Sequence, residues 1–278
     1  MAAVGVERSA EVLGDLFDVR DLRVVVTGAA GGLGLAMAEV LGECGARVTL
    51  ADIDAEVLEE ATRDLQARGV AARSFVADVT DEGRVQALID DVVSAEGSID
   101  VVIANAGLAA TSGFGTEGGQ TLDTIEPADW DHVLAVNLTG VMHTMKAGAA
   151  AMKRQGTGGR IVVISSIAGL RAEPVVCYGY VAAKAAVVNM IRQAALELAP
   201  YDVLVNVICP GPFKGTRIGG GRTLDPDPET EQMWTSFIPL KRMASPEELK
   251  GLTLLLSSPA GSFITGSVFV VDGGAAIK

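Results

Sequence analysis

The sequence predicts an α/β fold, a doubly wound sheet of seven parallel strands with helices on both faces in a single domain. Three observations carry that prediction. Short β-branched runs alternate with longer amphipathic stretches from about residue 22 to the end. The runs are almost continuously apolar, as strands covered on both faces must be. The 278 residues are 49% hydrophobic and include 33 glycines, which suits one buried core punctuated by tight turns.

In chain order, residues 1–20 read as an N-terminal extension and 21–278 as the domain. Strands are expected at 23–27, 48–51, 73–76, 101–104, 160–165, 203–208 and 267–271. Helical periodicity covers 33–44, 55–68, 82–96, 127–154, 182–198 and 246–257. Two glycine-rich loops, 107–126 and 211–245, break the rhythm, each after a strand. Loops beyond the carboxyl ends of parallel strands build the ligand crevice, so 211–245 is expected to be a substrate lid.

Composition narrows the function classes. A formal net charge of −13 argues against a nucleic-acid partner, which needs clustered Lys and Arg. No apolar run is long enough to span a bilayer. Glu7, Arg8, Glu11, Asp15, Asp18 and Arg20 leave no signal-peptide core near the start. The expectation is a cytoplasmic protein with no membrane partner. Cys44, Cys177 and Cys209 are odd in number and irregularly spaced, so reduced thiols are expected. With only His132 and His143 beside them, no metal site is expected.

After the first strand comes Thr27-Gly28-Ala29-Ala30-Gly31-Gly32-Leu33-Gly34, leading into a helix. Gly28, Gly31, Gly32 and Gly34 allow a tight turn and a close approach of backbone to a pyrophosphate, which the helix N-terminus attracts. Eighteen residues beyond Gly34, at the end of the second strand, stands Asp52, followed by Ile53. A carboxylate there accepts hydrogen bonds from the ribose hydroxyls of NAD and repels the 2′-phosphate of NADP. No Arg or Lys occurs in 28–34 to receive that phosphate. The expected cofactor is NAD, bound in a Rossmann-type fold. Capping of the helix near Ala55 would be an alternative role for Asp52, but Asp54 is better placed for it.

Further on stand Ser165-Ser166-Ile167-Ala168-Gly169 and Tyr178-Gly179-Tyr180-Val181-Ala182-Ala183-Lys184. Residues four apart share a helix face, which couples Tyr180 to Lys184 and leaves Tyr178 opposite Ala182. A phenol near pKa 10 is a poor base at neutral pH. A neighbouring ammonium and a positive nicotinamide ring would favour tyrosinate.

With these motifs the chain resembles the short-chain dehydrogenase/reductase family from about Leu22 to Gly274. The resemblance implies further roles. Asn105-Ala106-Gly107 corresponds to a turn supporting the adenine side of the cofactor, and Asp78-Val79 to a pair beside adenine. Asn137 corresponds to the asparagine that holds a relay water against the lysine, and Ser166 to the serine that binds the substrate oxygen. Pro210-Gly211 corresponds to the turn facing nicotinamide, with Phe213 and Thr216 on the cofactor side, and Asp272-Gly273-Gly274 to a closing motif. The Ser166–Tyr180 interval is one residue longer than the family usually shows, and Thr216 stands one position later than its hydroxyl residue.

The activity implied is hydride transfer between NAD(H) and a small-molecule secondary alcohol or ketone. Asn137, Ser166, Tyr180 and Lys184 are the catalytic set, in a homotetramer or homodimer. An NADP-linked carbonyl reductase and a non-catalytic NAD sensor are the alternatives. Candidate substrate-pocket residues are Phe114, Arg171, Val176, Cys177, Phe213, Ile218, Met233, Trp234 and Phe237. Lys214, Arg217 and Arg222 offer charge for an anionic substrate, or are solvated loop charges.

Overall fold

Strands β1 (Arg23–Thr27), β2 (Arg47–Asp52), β3 (Ala72–Val76), β4 (Val101–Ala104), β5 (Gly159–Ile164), β6 (Val203–Pro210) and β7 (Val268–Val271) form one sheet. Their order is β3-β2-β1-β4-β5-β6-β7, and every neighbouring pair is parallel. These are the seven strands expected, with bounds shifted by two residues at most. The computed structural model describes residues 11–109, 120–173, 176–216, 218 and 228–277. Of the N-terminal extension, residues 1–10 therefore lie outside the described residues; 11–16 are helical, with Val12, Leu13 and Leu16 exposed.

Each face of the sheet is covered by helices, because strand side chains alternate between two apolar layers. Val24 and Val26 point into one layer with α1 (Gly32–Glu43), α2 (Ala55–Ala67) and α8 (Lys250–Ser257). Val25 points into the other with α3 (Glu82–Glu96), α5 (Val141–Gln155) and α6 (Tyr178–Leu198). The edge strands β3 and β7 are only half-buried, unlike the continuous burial expected, because each has a neighbour on one side alone.

Three expected helices differ in detail. The 127–154 pattern is one helical path, but it comprises α4 (Pro127–Leu134), a π-helical turn Ala135–Gly140, and α5. Helix α6 starts at Tyr178, four residues before the period shows itself, after an extended Cys177. The 246–257 helix opens with a tight 3-10 turn, Pro246–Leu249, fixed by a Ser245–Glu248 capping box. Sequence periodicity also missed α7 (Pro228–Phe237), inside the expected lid. It is a short helix with no buried residue, so no apolar stripe announces it.

From β1 the strands run outward one way through β2 and β3, and from β4 the other way to β7. Between the carboxyl ends of β1 and β4 lies the switch point, where a crevice opens.

Candidate active site

Gly28 follows β1 with φ +65°, and a Cβ there would come within 2.7 Å of Ala106 Cα. The first loop and the 105–107 turn therefore touch backbone to backbone. Asn105 Nδ2 ties them by donating to Thr27 O at 3.0 Å and Gly28 O at 2.9 Å. Helix α1 has Gly31 at its N-cap, which supplies no side-chain cap, and no acidic residue stands in its first turn. Its first N–H groups thus suit an anionic ligand group. Gly28, Gly31, Gly32 and Leu33 line the crevice, whereas Gly34 does not. Gly34, expected to bind cofactor, stands behind the wall in close packing: a Cβ would overlap Gly28 O and reach 2.5 Å from Asn105 Nδ2.

At the end of β2, Asp52 Oδ2 accepts from Ala30 N and Oδ1 from Asp54 N, both at 3.1 Å. Asp54, not Asp52, caps α2 by accepting from Val57 N at 3.3 Å. Asp78 Oδ1 accepts from Thr80 N and Thr80 Oγ1 at 2.8 Å each, which fixes the turn after β3. Val79 is buried there, and Ile53 is exposed beside Asp52 on the rim.

Ser165 and Ser166 follow β5 and divide the work. Ser165 Oγ is buried and donates to Lys184 O at 2.8 Å, a structural tie between β5 and α6. Ser166 Oγ accepts from Ala168 N at 3.1 Å and stands beside the Tyr180 phenol, whose pKa it lowers. Ser166, not Ser165, is thus the serine beside Tyr180. Tyr180 and Lys184 are both buried, and Lys184 Nζ lies 5.6 Å from the Tyr180 ring centroid while donating to Ile164 O at 3.0 Å.

The expectation of tyrosinate named two cations, Lys184 and the nicotinamide ring, and beside Lys184 alone the phenol stays protonated. Burial pushes the Tyr180 phenol up to about 12, against the influence of Ser166, which lowers it. Burial also pulls Lys184 down to about 8. In the chain by itself desolvation is the largest influence on each, and both groups are biased towards their neutral forms.

Asn137 sits in the π-helical turn. Its Nδ2 donates to Leu108 O at 2.6 Å and to Val133 O, one α-turn back, at 3.1 Å, while Oδ1 accepts from Leu108 N at 3.2 Å. The side chain thus pins the loop after β4. A Cβ on Gly107 would stand 2.8 Å from Asn137 Oδ1 and 3.4 Å from Lys184 Nζ, so glycine lets that loop pass between the two.

All these groups share one cavity of about 930 Å³. Of the expected cofactor and catalytic residues, every one lines it except Gly34. Pro210, Gly211, Phe213 and Thr216 close one side, and Thr216 rather than Gly215 reaches the wall. Such a cavity suits a dinucleotide plus a small substrate. Among the substrate-pocket candidates, Val176, Phe213, Ile218 and Trp234 line it, while Arg171, Cys177, Met233 and Phe237 do not. Phe114, Arg217 and Arg222 lie outside the described residues. Lys214 is paired with Glu231. Asp272 closes its own turn by accepting from Gly274 N at 2.8 Å and Ala276 N at 2.6 Å. Sequence reading missed Leu108, His132, Glu173, Thr230 and Met243 on the wall, none of which stands in a motif.

Among the described residues no cluster of His, Cys, Asp and Glu could hold a metal, the three cysteines are free, and no helix is long and apolar enough to cross a membrane.

Residues 28–276 match the family model described as enoyl-(acyl carrier protein) reductase. The chain is 35% identical to 2-(S)-hydroxypropyl-CoM dehydrogenase 3 of Xanthobacter autotrophicus, over 90% of this chain and 95% of that protein. It is 37% identical to cis-4-hydroxycyclohexanecarboxylate dehydrogenase of Sinomonas cyclohexanicum, over 90% and 94% respectively. Among solved structures, a gluconate 5-dehydrogenase from Burkholderia cenocepacia in complex with NADP and tartrate superposes with a TM-score of 0.85 at 31% identity, covering 95% of this chain and 98% of that one. The chain belongs to the short-chain dehydrogenase/reductase family of oxidoreductases.

Proposed function

We propose that this protein transfers a hydride between NAD(H) and a secondary alcohol–ketone pair, with Tyr180 as the acid/base. One observation carries the reading: Ser166, Tyr180 and Lys184 share a single cavity with the open start of α1 and with Asp52. Asp52, with no basic residue in 28–34, supports NAD over NADP. The NADP complex of the similar gluconate 5-dehydrogenase is the reason to measure both cofactors.

The glycine loop would hold the pyrophosphate, Asp52 the adenosine ribose, Asp78-Val79 and Asn105-Ala106-Gly107 the adenine side, and Pro210, Gly211, Phe213 and Thr216 the nicotinamide side. When bound, the oxidised cofactor supplies the hydride acceptor and a positive charge. Ser166 Oγ orients the substrate hydroxyl, and Tyr180 Oη accepts its proton. Lys184 Nζ holds the nicotinamide ribose and, once protonated, stabilises the phenolate. Asn137 keeps the loop after β4 against Lys184. Residues 211–245 act as a lid over this side: Ala109 N already donates to Ile218 O at 2.8 Å, and Trp234 of α7 reaches the cavity wall. Helices α4 to α6 are the surfaces for a homotetramer or homodimer, and Leu196 on α6 is 74% exposed; the mass in solution checks this.

The experiment is reduction of NAD, and separately of NADP, by secondary alcohols with wild type and Tyr180→Phe. Turnover is expected to fall by roughly a thousandfold in the variant, with dinucleotide binding within a few-fold of wild type. Tyr178→Phe is the control, since Tyr178 is 43% exposed and does not line the cavity. Equal turnover in Tyr180→Phe and wild type overturns the proposed chemistry. A sensor that binds NAD without turnover is disfavoured by the presence of both Tyr180 and Lys184.

A further inference from the structure

Glu173 stands in the cavity wall, in the connection from β5 to α6, and the chemistry above gives it no task. Its side chain is only 8% exposed. Arg171 Nε donates to Glu173 Oε1 at 2.7 Å. The same guanidinium donates through Nη1 to Ala275 O, which anchors it to the last turn of the chain. Oε2 of Glu173 takes no hydrogen bond from any described residue.

A carboxylate this buried is tolerable only where its lone pairs are met, by the protein or by something that enters the cavity. Arg171 meets one oxygen and leaves the other to the cavity. The wall also carries Leu108, Val176, Ile218, Trp234 and Met243, which offer a ligand apolar contact. Lys214, a cation on the adjoining lid, is committed to Glu231.

We propose that Glu173 is a specificity-determining residue: Oε2 accepts a hydrogen bond from a second hydroxyl of a neutral diol or polyol substrate. The same oxygen turns away substrates that carry a carboxylate in that place. This rests on the dehydrogenase reading of the site. An O–H group donating to a carboxylate makes a short, charge-assisted bond, stronger than one between neutral groups. Two carboxylates facing each other inside a cavity repel with less screening than in bulk water. Arg171 offsets part of this, but it is held on Oε1 and on Ala275 O, so Oε2 is the charge nearest the incoming group.

The test uses the full-length chain with its preferred nicotinamide cofactor and two matched substrate sets. One set is cyclohexanol, cyclohexane-1,4-diol and 4-hydroxycyclohexanecarboxylate; the other is 2-hexanol, 2,5-hexanediol and 5-hydroxyhexanoate. Glu173→Gln keeps the shape and an acceptor for Arg171 but turns an amide N–H₂ towards the cavity. Wild type is expected to prefer diols over mono-alcohols by roughly tenfold in kcat/KM, and over hydroxy acids by more. In Glu173→Gln the diol preference drops to about twofold and the hydroxy acids gain roughly tenfold, while mono-alcohols stay within about twofold. A second readout needs no turnover. Diol added to the binary cofactor complex raises the unfolding temperature of wild type, and this increment is lost in Glu173→Gln.

A diol preference that survives Glu173→Gln in both readouts overturns the assignment. So does wild type that turns over hydroxy acids in preference to diols, although the dehydrogenase reading then stands. Normal cofactor binding with no turnover of any of the six compounds and no thermal increment from a diol overturns both. Cofactor binding by Glu173→Gln shows that the variant is folded.

Discussion

Replacing Lys184 by Met is expected to abolish turnover and yet to relieve a stability penalty whose size depends on pH. Lys184 is 3% exposed and burial holds it at about 8 against an ordinary 10.5. That difference corresponds to about 3 kcal/mol that folding loses at pH 7, where the side chain is charged in both states. The sign follows from proton counts. Between pH 8 and 10.5 the unfolded chain holds the proton more tightly than the folded one, so wild-type stability gains from this group as pH rises. Methionine fills a similar volume and carries no charge, but it leaves Ile164 O without the donor it has at 3.0 Å, costing about 1–3 kcal/mol. The two effects nearly offset each other at pH 7. Their difference in pH dependence does not cancel: relative to wild type, Lys184→Met is expected to lose about 2 kcal/mol between pH 7 and about 9.5. Urea unfolding of both proteins at matched concentration and several pH values measures this. A stability difference flat within about 0.5 kcal/mol over that range would refute the claim that burial depresses Lys184.

Asp52→Ala is expected to weaken NAD, relieve repulsion of NADP and move the ratio of their kcat/KM values at least tenfold towards NADP; a wild type that already prefers NADP refutes the role given to Asp52. Gly34→Ala is expected to destabilise the fold by about 1–3 kcal/mol in urea, because a Cβ there overlaps Gly28 O, and to weaken dinucleotide binding only through the displaced loop. Amide exchange over 211–245 is expected to slow when cofactor and a substrate analogue are both bound, relative to cofactor alone; equal rates would make that segment a passive connection.

The sheet was legible because its strands hold runs such as 24–26 and Val101–Ala104, fully apolar where both faces are covered. The candidate cofactor side was legible as a cavity wall because it is made largely by backbone. A pyrophosphate calls for glycines at a helix start and a ribose for one acid, and both constrain the sequence at fixed spacing. Tyr180 and Lys184 were legible because one helix sets their offset. Glu173 was not, since its place depends on how the connection after β5 folds back against Arg171 and Ala275, which no local pattern encodes. The π-helical turn was also invisible: Asn137 has helical neighbours on both sides, and only its bonds to Leu108 mark the irregularity.

The protonation of Tyr180 and Lys184 depends on burial as much as on adjacency. Adjacency of a phenol and an ammonium suggests mutual stabilisation of charges, but adjacency comes here with burial of both. Desolvation penalises each charge separately, and in this chain it prevails, leaving the phenol at about 12 and the lysine at about 8. The same dryness gives any further positive charge beside Tyr180 a large effect, because few waters screen it. On the proposed reading, the pair becomes an effective base when the oxidised cofactor adds its charge and its ribose engages Lys184. Proton transfer is then coupled to occupancy of the cofactor site by burial, with no moving part required.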